Sequence, residues 1–269
     1  MHPLIKTIQS VLAFDNVCSP HFASTTSLGR IALLSSILSL LLGFALSALL
    51  FTSPSLHPQR FSFSLYTASL TLFHLSEFFT TCTYNPQVVS SESFLVNHSE
   101  AYTLAALLSW LEFGAKVAVL PAKLVYFPPL PITAIGGLLT FGGMFVRIFA
   151  MVQCGKNFNH TIQASKKNNH ELVTDGIYTY LRHPSYFGWF FWSIGTQILL
   201  GNILCFVGYF AASWDFFRKR IPYEERLLVN MYGDEYRKFM STTPIMIPFV
   251  RGSEMGVIEG DKSKNEKSS

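Results

Sequence analysis

Residues 31–51 run for 21 positions without a charged side chain. At about 1.5 Å of rise per residue, such a run crosses the roughly 30 Å hydrocarbon core of a bilayer as a helix. In lipid its backbone groups must bond to one another, which leaves helix as the conformation for an isolated run. Further apolar stretches cover 61–84, 101–127 and 132–152. Two more, 184–200 and 202–217, are near the lower length limit for spanning and are separated only by Gly201-Asn202, so they read as a tilted helical hairpin. Hydrophobic residues make up 49% of the 269-residue chain and charged residues 13%, too few to clothe a soluble surface. The expected fold is all-α: a polytopic membrane protein of about six transmembrane helices, with a hairpin over 184–217. The first apolar run starts late and is too long for a signal-peptide core, so it is taken as a first span.

Charge placement orients the spans. With six crossings both termini share one face. Lys6, Arg30, Lys156, Lys166, Lys167, Arg182 and the ten basic residues from Arg218 onward fall on that face, against Arg60 alone on the other. The positive-inside rule makes the basic face cytosolic. The sequons at Asn97 and Asn159 then lie in cytosol and are expected to stay unmodified. The domain reading is a cytosolic N-terminus over 1–30, four spans over 31–152, a catalytic region over 153–249 and a disordered tail over 250–269.

Ionisable residues inside spans are expensive and are candidates for function. Glu112 and Lys116, at i,i+4, read as a structural pair, and His74 with Glu77 as helix–helix hydrogen bonding. Lys123 can snorkel to the interface. Arg147, near the cytosolic end of the fourth span, has two accounts side by side: snorkelling and anion binding. Cys18, Cys82, Cys154 and Cys205 form no C-x-x-C pair, and His160, His170 and His183 match no ligand spacing, so no metal centre is expected.

Between the fourth span and the hairpin, residues 154–183 are polar. Asp175-Gly176 marks a turn. In Arg182-His183-Pro184-Ser185-Tyr186 the residue before proline is held extended, and Pro184 suits the first position of a helix. His183 therefore lies at a helix N-terminus, read either as a capped membrane-entry turn or as a site for an anionic group. Past the hairpin, Arg218-Lys219-Arg220-Ile221-Pro222-Tyr223-Glu224-Glu225-Arg226 enters cytosol. Arg220 and Glu224 share a face if the helix is unbroken, but Pro222 lacks an N–H and is expected to interrupt it, with a separate helix over about 223–240. No Gly-rich nucleotide loop is present, so a nucleotide-like cofactor would need a purely helical site.

These residues carry a family resemblance. Asn157-Phe158-Asn159-His160 with Gln163, then His170-Glu171-Leu172-Val173-Thr174-Asp175-Gly176-Ile177-Tyr178, then Arg182-His183-Pro184-Ser185-Tyr186-Phe187-Gly188-Trp189, and finally Arg220 with Glu224-Glu225, resemble isoprenylcysteine carboxyl methyltransferases over about 147–249. Lys219 stands where the family usually has an acid. The resemblance implies an endoplasmic-reticulum enzyme that methylates the C-terminal carboxylate of prenylated cysteine in proteins and peptides, using S-adenosylmethionine. It implies cofactor contacts from Gln163, His170, Glu171, Leu172, Val173, Tyr178, His183, Pro184, Ser185, Tyr186 and Glu224. Arg220, with Arg147, would hold the substrate carboxylate. The partners implied are prenylated chains and the bilayer, with no nucleic acid. The rival readings are an NADPH-dependent sterol reductase, a phospholipid N-methyltransferase, and a transporter or scaffold.

Overall fold

The computed structural model describes residues 24–96, 99–119, 130–163 and 171–253. Among these the regular structure is helical: α1 (Leu28–Phe51), α2 (Pro58–Tyr84), α3 (Glu100–Val119), α4 (Leu130–Cys154), α5 (Pro184–Leu200), α6 (Ile203–Tyr232) and α7 (Asp234–Thr242), with short 3-10 turns between some of them. By length and composition α1, α3 and the helix from Leu130 to Asn157 are able to cross a membrane. Their outward surfaces are apolar, as at Phe44, Leu50, Leu111 and Leu138. In water such surfaces would be unfavourable, whereas acyl chains match them. The sequon at Asn97, the prolines at 128 and 129, Lys123, His170 and the tail from 254 lie outside the described residues.

The chain divides into two compact units. The first holds the described residues up to Thr133, with Leu199–Asn202. Here α1 and α2 bury Leu38, Leu75 and Phe78 together with Phe94, and the Phe78 and Phe94 rings stack 4.2 Å apart. α2 is rich in Ser and Thr, and hydroxyls such as those of Thr71, Thr80 and Thr81 return hydrogen bonds to carbonyls one turn back. A polar helix face is thereby satisfied from within. His74 bonds the Phe94 carbonyl at 2.7 Å through Nδ1 and meets the Tyr102 hydroxyl of α3 at 3.3 Å through Nε2, as expected for helix–helix bonding. Lys116 has partners that no spacing revealed: its ammonium donates to the carbonyls of Leu200 and Gly201 at 2.7 and 3.0 Å. These are orphan acceptors at the C-terminal end of α5, where a cation is favoured.

The second unit comprises Ala134–Ile198 and the chain from Ile203 onward. α4 and α5 touch backbone to backbone. A Cβ added to Gly188 would come within 2.5 Å of the Gly143 carbonyl oxygen and 2.7 Å of the Arg147 nitrogen, and one on Gly143 within 2.6 Å of the Gly188 oxygen. Only glycine at both positions permits this approach. Below it, Phe190 and Ile194 of α5, Phe217 and Ile221 of α6, and Ile245, Ile247 and Val250 of the chain after α7 form one core.

α6 corrects the expected break at Pro222. It runs unbroken from Ile203 to Tyr232 with Pro222 inside it. Phe217, Ile221, Glu225 and Val229 are all buried along one stripe, and that packing outweighs the one hydrogen bond a proline removes. The helix ends instead at Gly233, whose φ of 58° is open to glycine. The expected helix over 223–240 is therefore the last turns of α6 followed by α7, which opens on Asp234 and Glu235.

Candidate active site

The site grows from the turn that feeds α5. The carbonyl of His183 accepts the N–H groups of Tyr186 and Phe187 at 3.1 and 3.0 Å and so starts the helix. Its imidazole is buried and lies 3.2 Å from Glu225 Oε1. Arg182 donates to the same oxygen at 3.0 Å, and to the carbonyls of Met240 and Thr243. The other Glu225 oxygen accepts the Ser253 N–H. Burial pushes the Glu225 carboxyl up, but His183, Arg182 and the Ser253 N–H together hold it below the usual glutamate value. One ring nitrogen of His183 thus bonds an anion of the protein itself.

One turn into α5, Tyr186 reaches α6. Its hydroxyl accepts a hydrogen bond from Arg220 Nε at 2.9 Å and donates to Glu224 Oε2 at 2.5 Å. The Arg220 guanidinium also donates to the His160 carbonyl at 2.9 Å and lies 5.5 Å from the Tyr186 and Phe216 rings. The continuous α6 is what sets Arg220 and Glu224 one turn apart on a common side. Arg147, on α4, is 2% exposed, so it does not snorkel. It donates to Ser185 Oγ at 2.9 Å and to the Ser185 carbonyl at 3.3 Å, and it lies 5.0 Å over the Trp189 ring. Two guanidinium groups therefore bond neighbouring residues in the first turn of α5.

These side chains border a cleft open to solvent. Ten of the eleven implied cofactor contacts line it: Gln163, Glu171, Leu172, Val173, Tyr178, His183, Pro184, Ser185, Tyr186 and Glu224. His170 lies outside the described residues. Arg220 and Arg147 are not in the lining; each sits one hydrogen bond behind it, through Tyr186 and Ser185. Side-chain bonds tie the segment from 171 to 178 to the end of α4 and the turn after it: Gln153 Oε1 accepts the Ile177 N–H at 2.9 Å, and Asn157 Oδ1 accepts the Glu171 N–H at 3.3 Å. The Tyr178 hydroxyl donates to the Ala150 carbonyl at 3.2 Å, and burial raises that phenol well above its ordinary value.

Sequence reasoning missed the far wall, made by Leu228, Met231 and Tyr232 of α6 and Tyr236 and Phe239 of α7. The helical spacing of these residues looks like ordinary core, and only the bend at Gly233 turns α7 back on α6 to make a wall of it. The Arg182–Glu225 pair was also unassigned, although both residues belong to the motifs quoted above.

The fold and cleft define a helical membrane protein with a mixed apolar and charged cleft at the start of α5. A model of the isoprenylcysteine carboxyl methyltransferase family matches residues 136–230, the stretch holding most of this site. The chain is 44% identical over 215 residues to the protein-S-isoprenylcysteine O-methyltransferase of Xenopus laevis, covering 80% of this chain and 73% of that one. It is 36% identical over 228 residues to the enzyme of that name in Saccharomyces cerevisiae, covering 83% of this chain and 92% of that one. A solved structure of a eukaryotic intramembrane Ras methyltransferase, an isoprenylcysteine carboxyl methyltransferase, is similar with a TM-score of 0.77 and 36% identity over 94% of this chain and 89% of that one. The chain belongs to the isoprenylcysteine carboxyl methyltransferase family.

Proposed function

We propose that the protein transfers the methyl group of S-adenosylmethionine to the α-carboxylate of C-terminal S-prenylated cysteine, forming a methyl ester. The reaction takes place at the endoplasmic-reticulum membrane, with both termini and the cleft facing cytosol and six helical crossings. Family membership supports the reaction class and sets aside the sterol-reductase, phospholipid-methylating and non-catalytic readings. The observation that carries the residue assignment is the Arg220–Tyr186–Glu224 chain, which holds a guanidinium beside an acid-bearing cleft.

The cleft fits the cofactor in kind: an apolar and aromatic wall from Leu172, Tyr178, Leu228 and Phe239 suits a purine, and Glu171 and Glu224 suit a cationic ligand. Gln163, His170, Glu171, Leu172, Val173, Tyr178, His183, Pro184, Ser185, Tyr186 and Glu224 are the proposed contacts. When bound, the sulfonium supplies a methyl group already activated for displacement. A C-terminal carboxylate has a pKa of about 3.5, so it arrives ionised and needs no general base. Its oxygen forms the new C–O bond as the methyl–sulfur bond breaks, and the electron pair leaves on sulfur as a neutral thioether.

What remains for the protein is to strip water from the carboxylate and to aim it. Arg220 does the aiming, since a planar guanidinium grips a carboxylate in a defined geometry and leaves a lone pair free. Tyr186 and Phe216 hold its plane. Arg147 acts from the other side of the α5 turn through Ser185. The prenyl chain reaches this point from lipid, while the cofactor enters from water.

The test is transfer of labelled methyl from S-adenosylmethionine to N-acetyl-S-farnesylcysteine by purified protein. Wild type should form labelled ester. Arg220→Ala should lose roughly 100-fold or more while still binding S-adenosylhomocysteine. Failure of the wild type sinks the reaction, and near-normal turnover by Arg220→Ala removes that residue from it.

A further inference from the structure

The hydroxyl of Tyr236 is out of place in an otherwise well-satisfied wall. Tyr236 is 1% exposed. It packs in α7 with Val229, Phe239 and Met240, its ring 5.9 Å from that of Phe239. Yet its hydroxyl meets no hydrogen-bond partner among the described residues. The half-buried tyrosines beside it differ: Tyr178 donates to the Ala150 carbonyl, and Tyr186 bridges Arg220 and Glu224. An unpaired buried hydroxyl opposes folding, and phenylalanine would fill the same volume without that cost. A tyrosine here is accounted for if the partner of its hydroxyl arrives from outside, and Tyr236 lines the cleft.

We propose that Tyr236 is a cofactor-binding residue whose hydroxyl donates a hydrogen bond to a polar atom of bound S-adenosylmethionine or S-adenosylhomocysteine, a contact made only in the liganded protein. The assignment rests on the cofactor reading given above. Burial, followed by the nearby Glu225 and Glu224 carboxylates, raises the Tyr236 phenol well above its ordinary value, so it remains a proton donor throughout the neutral range. The aliphatic and aromatic neighbours Leu172, Leu228 and Phe239 offer it no competing acceptor from their side chains.

Tyr236→Phe separates this role from packing, because the two make predictions of opposite sign. S-adenosylhomocysteine binding is measured by calorimetry on wild type and variant in the same detergent, beside thermal unfolding without ligand. The expected result is roughly tenfold weaker binding by the variant, with an unliganded melting temperature equal to or above that of wild type. Unchanged affinity in the variant overturns the proposal. So does a lowered unliganded melting temperature, which would mean that the hydroxyl already has a protein partner. Wild type that binds no S-adenosylhomocysteine sinks the cofactor reading and this inference with it, so the two failures are told apart.

Discussion

Arg220 Nε lies 2.9 Å from the Tyr186 hydroxyl, which places a cation on α6 against the first turn of α5. Because the same hydroxyl donates to Glu224, one phenol serves as the link between the proposed substrate clamp and the proposed cofactor wall. A guanidinium on a flexible side chain would spend much of its time in unproductive rotamers. Here the phenol and the His160 carbonyl hold its direction before any ligand binds.

Tyr186→Phe should therefore keep the fold and the aromatic packing but release the Arg220 side chain and leave Glu224 without its donor. Methyl transfer to N-acetyl-S-farnesylcysteine should fall by roughly 10- to 100-fold in kcat/KM. Turnover within twofold of wild type would show that the phenol is not needed to position Arg220.

The contact between α4 and α5 makes a steric prediction. Gly188→Ala puts a methyl 2.5 Å from the Gly143 carbonyl oxygen, so the helices must separate, with an overpacking cost of about 1–3 kcal/mol. Because Arg147 and Ser185 flank that contact, activity should drop along with the melting temperature. Gly137→Ala is the control: nothing lies within 4 Å of the added carbon, and both readouts should hold.

Glu225 should make stability depend on acid pH. Its folded-state pKa is depressed below the ordinary 4.5, so its contribution is complete above that value and is lost as pH falls through the lower folded value. The melting temperature of wild type should decline below pH 4.5. Glu225→Gln should flatten that decline, and should be destabilised at pH 7 by about 3 kcal/mol, because half-buried Arg182 and buried His183 lose their anion. Thermal unfolding across pH 3.5–7 is the measurement, and equal slopes for the two proteins would refute it.

Lys116→Met should leave the Leu200 and Gly201 carbonyls without their cationic donor. The cost should be about 1–2 kcal/mol, read as a lower melting temperature. The kcat/KM of the protein that remains folded should be unchanged, since every proposed site residue lies elsewhere. A selective loss of kcat/KM would give Lys116 a role beyond capping.

Much of this fold is legible in the chain because lipid imposes a simple rule: apolar runs of sufficient length become helices. The apolar stretches at 31–51 and 132–152 match α1 and α4 to within a few residues. Pro184 marks the start of α5 because proline fits a helix beginning. The same rule about proline misled at Pro222, since local preference for a break is worth less than the buried stripe of Phe217, Ile221, Glu225 and Val229. Lys116 shows a different limit: its i,i+4 neighbour Glu112, which acts on its charge, is visible in sequence, whereas its carbonyl partners are some 84 residues away.

The amino-acid sequence by itself determined the helical membrane class, the family and the short motifs that border the cleft, because hydrophobic length and contiguous motifs are local properties. The tertiary structure decided that Tyr186 joins Arg220 to Glu224, that Glu225 gathers Arg182, His183 and Ser253, that two glycines bring α4 onto α5, and that α7 closes a wall bearing Tyr236. Each of these depends on distances between residues far apart in the chain, and such distances are set only when whole helices pack.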